Sequence, residues 1–149
     1  KDRQINERSE MDDIIAAARV CRLAMLDGDR PYIVPLCFGY DGRALYFHSA
    51  RAGKKIDLLQ KNQQVCFELE ASVAVKPAAA PCKWGMTYRS IIGFGTVEFM
   101  ESPEERRRAL DTIMAHYSGE GRFEYTDAAL GGVSIFRVVI LEMSGKRSC

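Results

Sequence analysis

Residue types able to do chemistry concentrate between His48 and Lys55, where the chain reads His-Ser-Ala-Arg-Ala-Gly-Lys-Lys. Ala44 to His48 read as a strand, with bulky and aromatic residues following an Asp41-Gly42 turn. From Gly53 the pattern becomes helical, with Ile56 and Leu59 at helical spacing and Leu58 beside them. The corner between the two holds His48, Ser49, Arg51, Gly53, Lys54 and Lys55. The first turn of a helix exposes N–H groups and is already partly positive, so cations are unfavourable there. Two lysines at that place point to an anionic guest, of which phosphate is the usual one. The same pair also fits a helix start that is simply solvated. A P-loop is excluded, because His48 stands where its first glycine belongs and Lys55 where its hydroxyl belongs.

The chain has two histidines. An imidazole titrates near neutrality, so His48 can donate to a ligand or move a proton; a hydrogen-bonded residue at a strand end fits it equally. His116 lies near the end of a helix, where the dipole favours it, and a structural role is expected. Two histidines without clustered carboxylates argue against a metal centre. A second candidate stretch, Cys82 to Gly95, holds the single tryptophan. In a regular strand Trp84, Tyr88 and Ser90 share one face. That face suits a planar heteroaromatic ligand, and suits an ordinary half-buried strand as well. Gly93-Phe94-Gly95 has Glu98 at the third glycine position, so no dinucleotide fingerprint is present.

The elements that must position these residues follow from spacing. Ser9 reads as the cap of a helix reaching Arg19, with Asp12 and Asp13 in its first turn. Strands are expected at Cys21–Leu26 and Pro31–Phe38. Pro35 cannot donate to a sheet ladder, which places the second at an edge or beside a gap in pairing. Gln64–Glu70 alternates Val65, Phe67 and Leu69 against Cys66, Glu68 and Glu70. Ala71–Pro81 reads as a flexible connection, and Met86–Phe99 as a long strand that Gly93 and Gly95 allow to bend or bulge. Ser102-Pro103-Glu104-Glu105 announces a helix by cap, N1 proline and capping box. Its expected buried side is Leu110, Ile113, Met114 and Tyr117, with Arg107 and Arg108 paired to Glu104. Gly119–Gly132 reads as a loop and Val133–Met143 as a last strand before a basic tail. Many strands, few helices and short turns give a mainly β chain with flanking helices (α+β), closing into a small antiparallel barrel.

A length of 149 residues suits one domain, 1–149. The formal net charge of +1 exerts no pull towards nucleic acid or an anionic membrane. No apolar run approaches the ~20 residues that span a bilayer, and Lys-Asp-Arg-Gln-Ile-Asn-Glu-Arg carries no signal-peptide pattern. Five cysteines without a Cys-x-x-Cys pair fit neither a disulfide framework nor a zinc site. Cys21, Cys37 and Cys66 are expected as reduced packing residues on strands, and the cytoplasm is the expected location.

Several pieces in this order resemble a known family: Pro31-Tyr-Ile-Val-Pro-Leu36, Leu45-Tyr-Phe-His-Ser-Ala50 with Gly53-Lys-Lys55, and Trp84 to Gly95. The Pro103-Glu104-Glu105 helix and the closing Met143-Ser-Gly-Lys146 join them. From about Met11 to Lys146 the chain is similar to the pyridoxamine 5′-phosphate oxidase-related flavoproteins, in their branch of 5-nitroimidazole resistance proteins. The resemblance implies an FMN-binding split β-barrel and a homodimer with flavins at the subunit interface. It implies that the backbone of Ile33, Val34, Pro35 and Leu36 lies against the flavin ring, with His48, Ser49 and Ala50 along it. Gly53, Lys54 and Lys55 are then expected at the phosphate, and Trp84, Tyr88 and Ser90 to contribute from the barrel or from the partner subunit. His48 is the residue expected to act on substrate. The implied activity is FMN-dependent electron transfer to a small acceptor, such as a nitroimidazole-type nitroaromatic. A non-catalytic flavin-binding or redox-sensing module, a haem-binding relative on the same barrel and a structural dimer with an empty groove remain the alternatives. The chain stops soon after Ser-Gly-Lys, without the further basic residues that vitamin B6 oxidation requires, so that activity is not expected.

Overall fold

Alternation is strongest where the sheet has its centre. Val65, Phe67 and Leu69 are buried while Cys66, Glu68 and Glu70 are half-exposed, and this parity runs through the neighbouring strands. The computed structural model describes residues 3–120 and 122–149. In chain order the elements are β1 (Gln4–Ile5), α1 (Arg8–Ala17), β2 (Cys21–Asp27), β3 (Arg30–Leu36), β4 (Gly39–Tyr40) and β5 (Ala44–Ala50). They continue with α2 (Lys54–Lys61), β6 (Gln64–Lys76), a 3-10 turn at Pro81–Lys83, β7 (Gly85–Phe99), α3 (Pro103–Ser118), α4 (Asp127–Gly131) and β8 (Val133–Ser148). All pairings are antiparallel, in the order β3-β2-β6-β7-β8-β5-β4, with β1 added to the end of β8. The sheet is mostly β with helices at its flanks, as a split barrel requires. Among the described residues no helix is long and apolar enough to cross a membrane.

The core lies inside the curled sheet. Phe47 stacks on Phe136 at 5.2 Å between centroids, and Phe99 tilts against Phe136 at 5.8 Å. Ile14 and Ile15 of α1 and Ile56 and Leu59 of α2 close the open sides. Fully burying side chains of this size contributes about 1.5–3 kcal/mol each.

Several expectations hold in detail. Pro35 does sit on the edge strand β3, and the ladder between β7 and β8 shifts register between Phe94 and Gly95. Ser102 accepts a bond from the Glu105 N–H at 3.2 Å, with Pro103 at the start of α3 and Gly119 in the left-handed cap at its end. Only this forward half of the capping box forms among the described residues.

Other expectations need correction. The cap of α1 is Glu7, two residues before Ser9. The stretch after Glu70 does not go slack: β-branched Val73 and Val75 carry β6 on to Lys76, past a register shift where Ser72 has a φ of 58°. Likewise the tail is strand, since β1 and β7 both pair with residues 144–148 of β8. The loop after Gly119 contains α4, capped by Thr126, while Gly121 lies outside the described residues. Cys37 falls beyond β3 and is exposed, so only Cys21 is a fully buried cysteine.

The helix α3 buries Ala109 and Ile113 and leaves Met114 and Tyr117 largely exposed. The reason is backbone contact. A Cβ on Gly39 would lie 2.6 Å from the Thr112 carbonyl and the Ile113 nitrogen, so β4 seats the helix on its 109–113 stripe. Arg106 then donates to the carbonyls of Met100, Leu130 and Val133 and Arg107 reaches Asp127 at 3.8 Å, and among the described residues neither Arg107 nor Arg108 pairs with Glu104. We expect Gly39→Ala to lower stability by about 1–3 kcal/mol through overpacking, and Ser102→Ala by about 1 kcal/mol through the lost cap. Thermal unfolding checks both, and an unchanged midpoint for Gly39→Ala would show that α3 does not rest on β4.

Candidate functional site

The corner predicted from sequence lies where the two ends of the sheet approach each other. Leu45, Phe47 and Ser49 of β5 point inward and are buried, which turns His48 and Ala50 outward. Gly53, with a φ of 140°, makes the sharp entry into α2 that other residues rarely adopt. Ile56, Leu58 and Leu59 bury the inner side of that helix. Lys54 reaches across the seam: its Nζ lies 3.0 Å from Asp27 Oδ2 at the end of β2 and 4.6 Å from the centroid of the Tyr32 ring on β3. The ammonium holds the Asp27 carboxyl below its ordinary range, by hydrogen bond first and charge second.

The two lysines therefore differ. Lys54 acts as a strut between α2 and the β2–β3 hairpin, whereas Lys55 is half-buried and has no ion pair with a described residue. Arg51 is also engaged, donating to the Gly131 carbonyl at 2.6 Å. Ser49 donates locally to the Ala50 carbonyl at 3.2 Å. His48 is exposed and makes no hydrogen bond to a described residue.

Facing this corner is β3. As an edge strand it leaves alternate N–H and C=O groups without a sheet neighbour. Tyr32, Val34 and Leu36 lean inward, and Ile33 and Pro35 are exposed. Lys54 thus ties the start of α2, with Gly53 and Lys55 beside it, to the β2–β3 hairpin that carries Ile33, Val34, Pro35 and Leu36, while His48, Ser49 and Ala50 lie at the end of β5 that leads into that helix.

Trp84, Tyr88 and Ser90 do not join this corner. Across β8, His48 registers with Ile135 and Tyr88 with Ser148, thirteen positions further on, or roughly 40 Å of strand path. Tyr88 and Ser90 lie on β7, while Trp84 precedes that strand and donates its Nε1–H to the Ala78 carbonyl at 2.7 Å. In one chain these residues belong to the far arm of the sheet.

A feature missed from sequence is the outer face of β3, β2, β6 and β7. Register aligns Ile33, Ala24, Cys66 and Phe94 in one row and Pro35, Arg22, Glu68 and Ile92 in the next. Ile33 is 59% exposed, Phe94 49% and Ile92 48%, and a shallow apolar hollow of ≈ 290 Å³ lies among Leu26, Pro31, Cys66 and Phe94. Exposed apolar rows of this kind mark contact surfaces. Within them Arg22 Nη1 donates to both oxygens of Glu70 at 2.7 and 2.8 Å and lies 3.5 Å from Glu68. Burial, and then the neighbouring Glu70, push the Glu68 carboxyl up to about 7. The acidic parity of β6 was the available signal; its meaning depended on which strands flank it. Among the described residues no group of three His, Cys, Asp or Glu side chains could hold a metal ion.

An antiparallel sheet that curls until an edge strand and a helix start share a seam defines the split-barrel class. The chain belongs to the pyridoxamine 5′-phosphate oxidase family, which it matches over residues 7–147. It is similar to the crystal structure of a candidate 5-nitroimidazole antibiotic resistance protein from Bacteroides thetaiotaomicron. The two are 36% identical with a TM-score of 0.85, over 97% of this chain and 86% of that one. An FAD- and haem-binding protein from Mycobacterium smegmatis shares the fold at 21% identity and a TM-score of 0.86, over 99% of this chain and 74% of that one. An uncharacterised protein of Rhizobium meliloti (strain 1021) is 35% identical over 66 residues, which are 44% of this chain and 43% of that protein. The chain thus spans less than half the length of that relative.

The raised Glu68 has a consequence for stability. A carboxyl with an unfolded value of 4.5 and a folded value of about 7 favours the folded state below 4.5, and that contribution is lost as pH rises through 7. Glu68→Gln should remove this loss. Its advantage over the parent is expected to grow between pH 4.5 and 7, reaching about 1 kcal/mol after allowance for solvent screening. Denaturant unfolding at several pH values checks this, and a difference independent of pH would contradict it.

Proposed function

We propose that the chain binds FMN along the seam between β3, β5 and α2 and is an FMN-dependent oxidoreductase. It passes electrons from a reduced donor to a small acceptor, with nitroimidazole-type nitroaromatics as the leading class. The observation that carries this reading is Lys55, a half-buried cation in the first turn of α2 with no anionic partner among the described residues, on a helix that Lys54 ties to the edge hairpin β2–β3. A helix start with a free lysine suits a phosphate. An edge backbone with its outer groups open suits the polar rim of a flavin ring. The candidate nitroimidazole resistance protein at 36% identity supports the choice of acceptor.

When bound, the flavin supplies the redox chemistry, and the protein supplies binding, orientation and electrostatics. Lys55 and the N–H groups of the α2 start hold the phosphate, and Gly53 lets the backbone approach it. Lys54 keeps that helix end against the hairpin. Ile33, Val34, Pro35 and Leu36 position the ring through their backbone, with Ser49 and Ala50 along it. His48, outward and unbonded, is the residue available to a substrate. The seam is open on its outer side, whereas sites of this kind bury most of their ligand. A second copy of the chain completes it: the apolar rows around Ile33 and Phe94 form the contact, and Trp84, Tyr88 and Ser90 reach the partner's flavin. The five free cysteines fit a reducing compartment such as the cytoplasm.

The purified protein should show flavin absorption and release FMN, identified by mass. Lys55→Ala should weaken FMN binding by about tenfold or more, the worth of one charge-assisted contact at 1.5–3 kcal/mol, while Lys54→Ala should also lower the thermal midpoint. Phe94→Glu should convert a dimer into monomers by sedimentation and weaken FMN binding with it. A colourless protein that refuses added FMN would overturn the proposal. A Soret band would redirect it to haem, and bound FMN without turnover would make the chain a flavin-binding module.

A further inference from the structure

Away from the seam, α3 and β4 flank an open cleft of ≈ 630 Å³ whose lining includes Asp41, Arg108, Asp111, His116 and Arg122. Tyr40 of β4 registers with Leu45 at the start of β5, whereas His48 to Ala50 lie at its other end. Both carboxylates lining the cleft are already hydrogen-bonded by neutral donors. Asp41 accepts from the N–H groups of Arg43 and Ala44 at 2.8 Å and from the Tyr46 hydroxyl at 2.7 Å. Asp111 accepts through Oδ1 from the Phe123 N–H at 3.2 Å and the Tyr125 hydroxyl at 2.9 Å, leaving Oδ2 without a described partner.

The guanidinium groups are in the opposite condition. Arg108 and Arg122 line the cleft and make no hydrogen bond or ion pair with a described residue, although Arg106 and Arg107 of the same run are engaged. His116 completes the set. Its Nε2 lies 2.6 Å from the Ala18 carbonyl and must donate there, which leaves Nδ1 as the acceptor of the neutral ring. No buried side-chain nitrogen or oxygen lacks a partner among the described residues. The unbonded Nδ1 is therefore open, on a ring held against Phe38 at 4.3 Å between centroids.

Two free guanidinium forks beside two free acceptors, Asp111 Oδ2 and His116 Nδ1, call for a ligand that is anionic at one end and a hydrogen-bond donor at the other. We propose that this cleft is a second small-molecule site that binds a hydroxylated organic anion, with sugar phosphates as the simplest class. The anion lies on Arg108 and Arg122, and the hydroxyls donate to Asp111 and His116. The volume is in the range of small-ligand pockets, and planar guanidinium groups are suited to two-point recognition of a phosphate.

Calorimetric titration of the full chain, saturated with FMN so that the seam is filled, tests this with ribose 5-phosphate and inorganic phosphate as the probes. Ribose 5-phosphate is expected to bind more tightly than inorganic phosphate. Arg108→Ala and Arg122→Ala should each weaken it by about tenfold, and Arg107→Ala should leave it unchanged. The Arg108 and Arg122 side chains make no hydrogen bond or ion pair with a described residue, so these variants are expected to keep the parent's thermal midpoint. If the chain does not take up FMN, the same titration is run on the parent and on Lys55→Ala. Loss of binding in Lys55→Ala would place the sugar phosphate in the seam and overturn the proposal. Equal binding of the two probes, or no binding of either, would overturn it too.

Discussion

The structure depends on one close contact at the middle of the sheet, the tip of the Phe67 ring filling the space over the backbone of β7 at Gly93. The two residues are register partners, and a Cβ at Gly93 would come within 2.1 Å of the ring. No other residue type leaves that space. At the next glycine, Gly95, an added Cβ would lie 2.5 Å from the Val139 carbonyl oxygen, and the register shift between β7 and β8 falls beside it. A strand that is thin at two alternate positions can bend strongly without losing its ladder. That bend lets a sheet with two free ends roll until β3 and the β5–α2 corner share a seam.

What was legible in the sequence was local. The alternation in Gln64–Glu70, the Ser102-Pro103 start of α3, the edge position forced by Pro35 and the bulge permitted by Gly93 and Gly95 each follow from a few neighbouring residues. The missing parts depend on contacts between distant residues. Lys54 and Lys55 look alike in the chain, and only the return of the β2–β3 hairpin, bringing Asp27 and Tyr32, separates the strut from the free cation. The stripe of α3 that is buried was set by Gly39, more than sixty residues away, and not by the hydrophobicity of Met114 and Tyr117. Arg107 found Asp127 of α4 instead of the glutamate one turn before it. The Ala-rich stretch was read as slack because alanine and proline dominate it, yet Val73 and Val75 sufficed to prolong β6.

Spacing alone marked the candidate site as a corner, and only the family resemblance added a second chain to it. His48 and the Tyr88–Ser90 segment appear together in the family resemblance because two chains bring them together in the reading proposed here; one chain keeps them on opposite arms of the sheet. The outer face of the sheet makes the same point through composition. Its apolar rows are interrupted by Arg22, Glu68 and Glu70, a cluster that satisfies itself and so tolerates partial desolvation. A face of this kind can be covered without stranding a charge, whereas three isolated ionic side chains could not.

The clamp formed by Lys54 has an implication for how the seam responds to a guest. Helix α2 and the β2–β3 hairpin lie on opposite sides of the split, and without a tie they would fluctuate independently. The ammonium bonded to Asp27 and resting on the Tyr32 ring ties the first turn of the helix to the edge of the sheet. The conformational freedom that a ligand would otherwise have to remove is already removed when the chain folds. Preorganisation of the seam thus originates in a residue beside the cation proposed to meet the ligand, and charge reversal at Asp27 would loosen both walls at once.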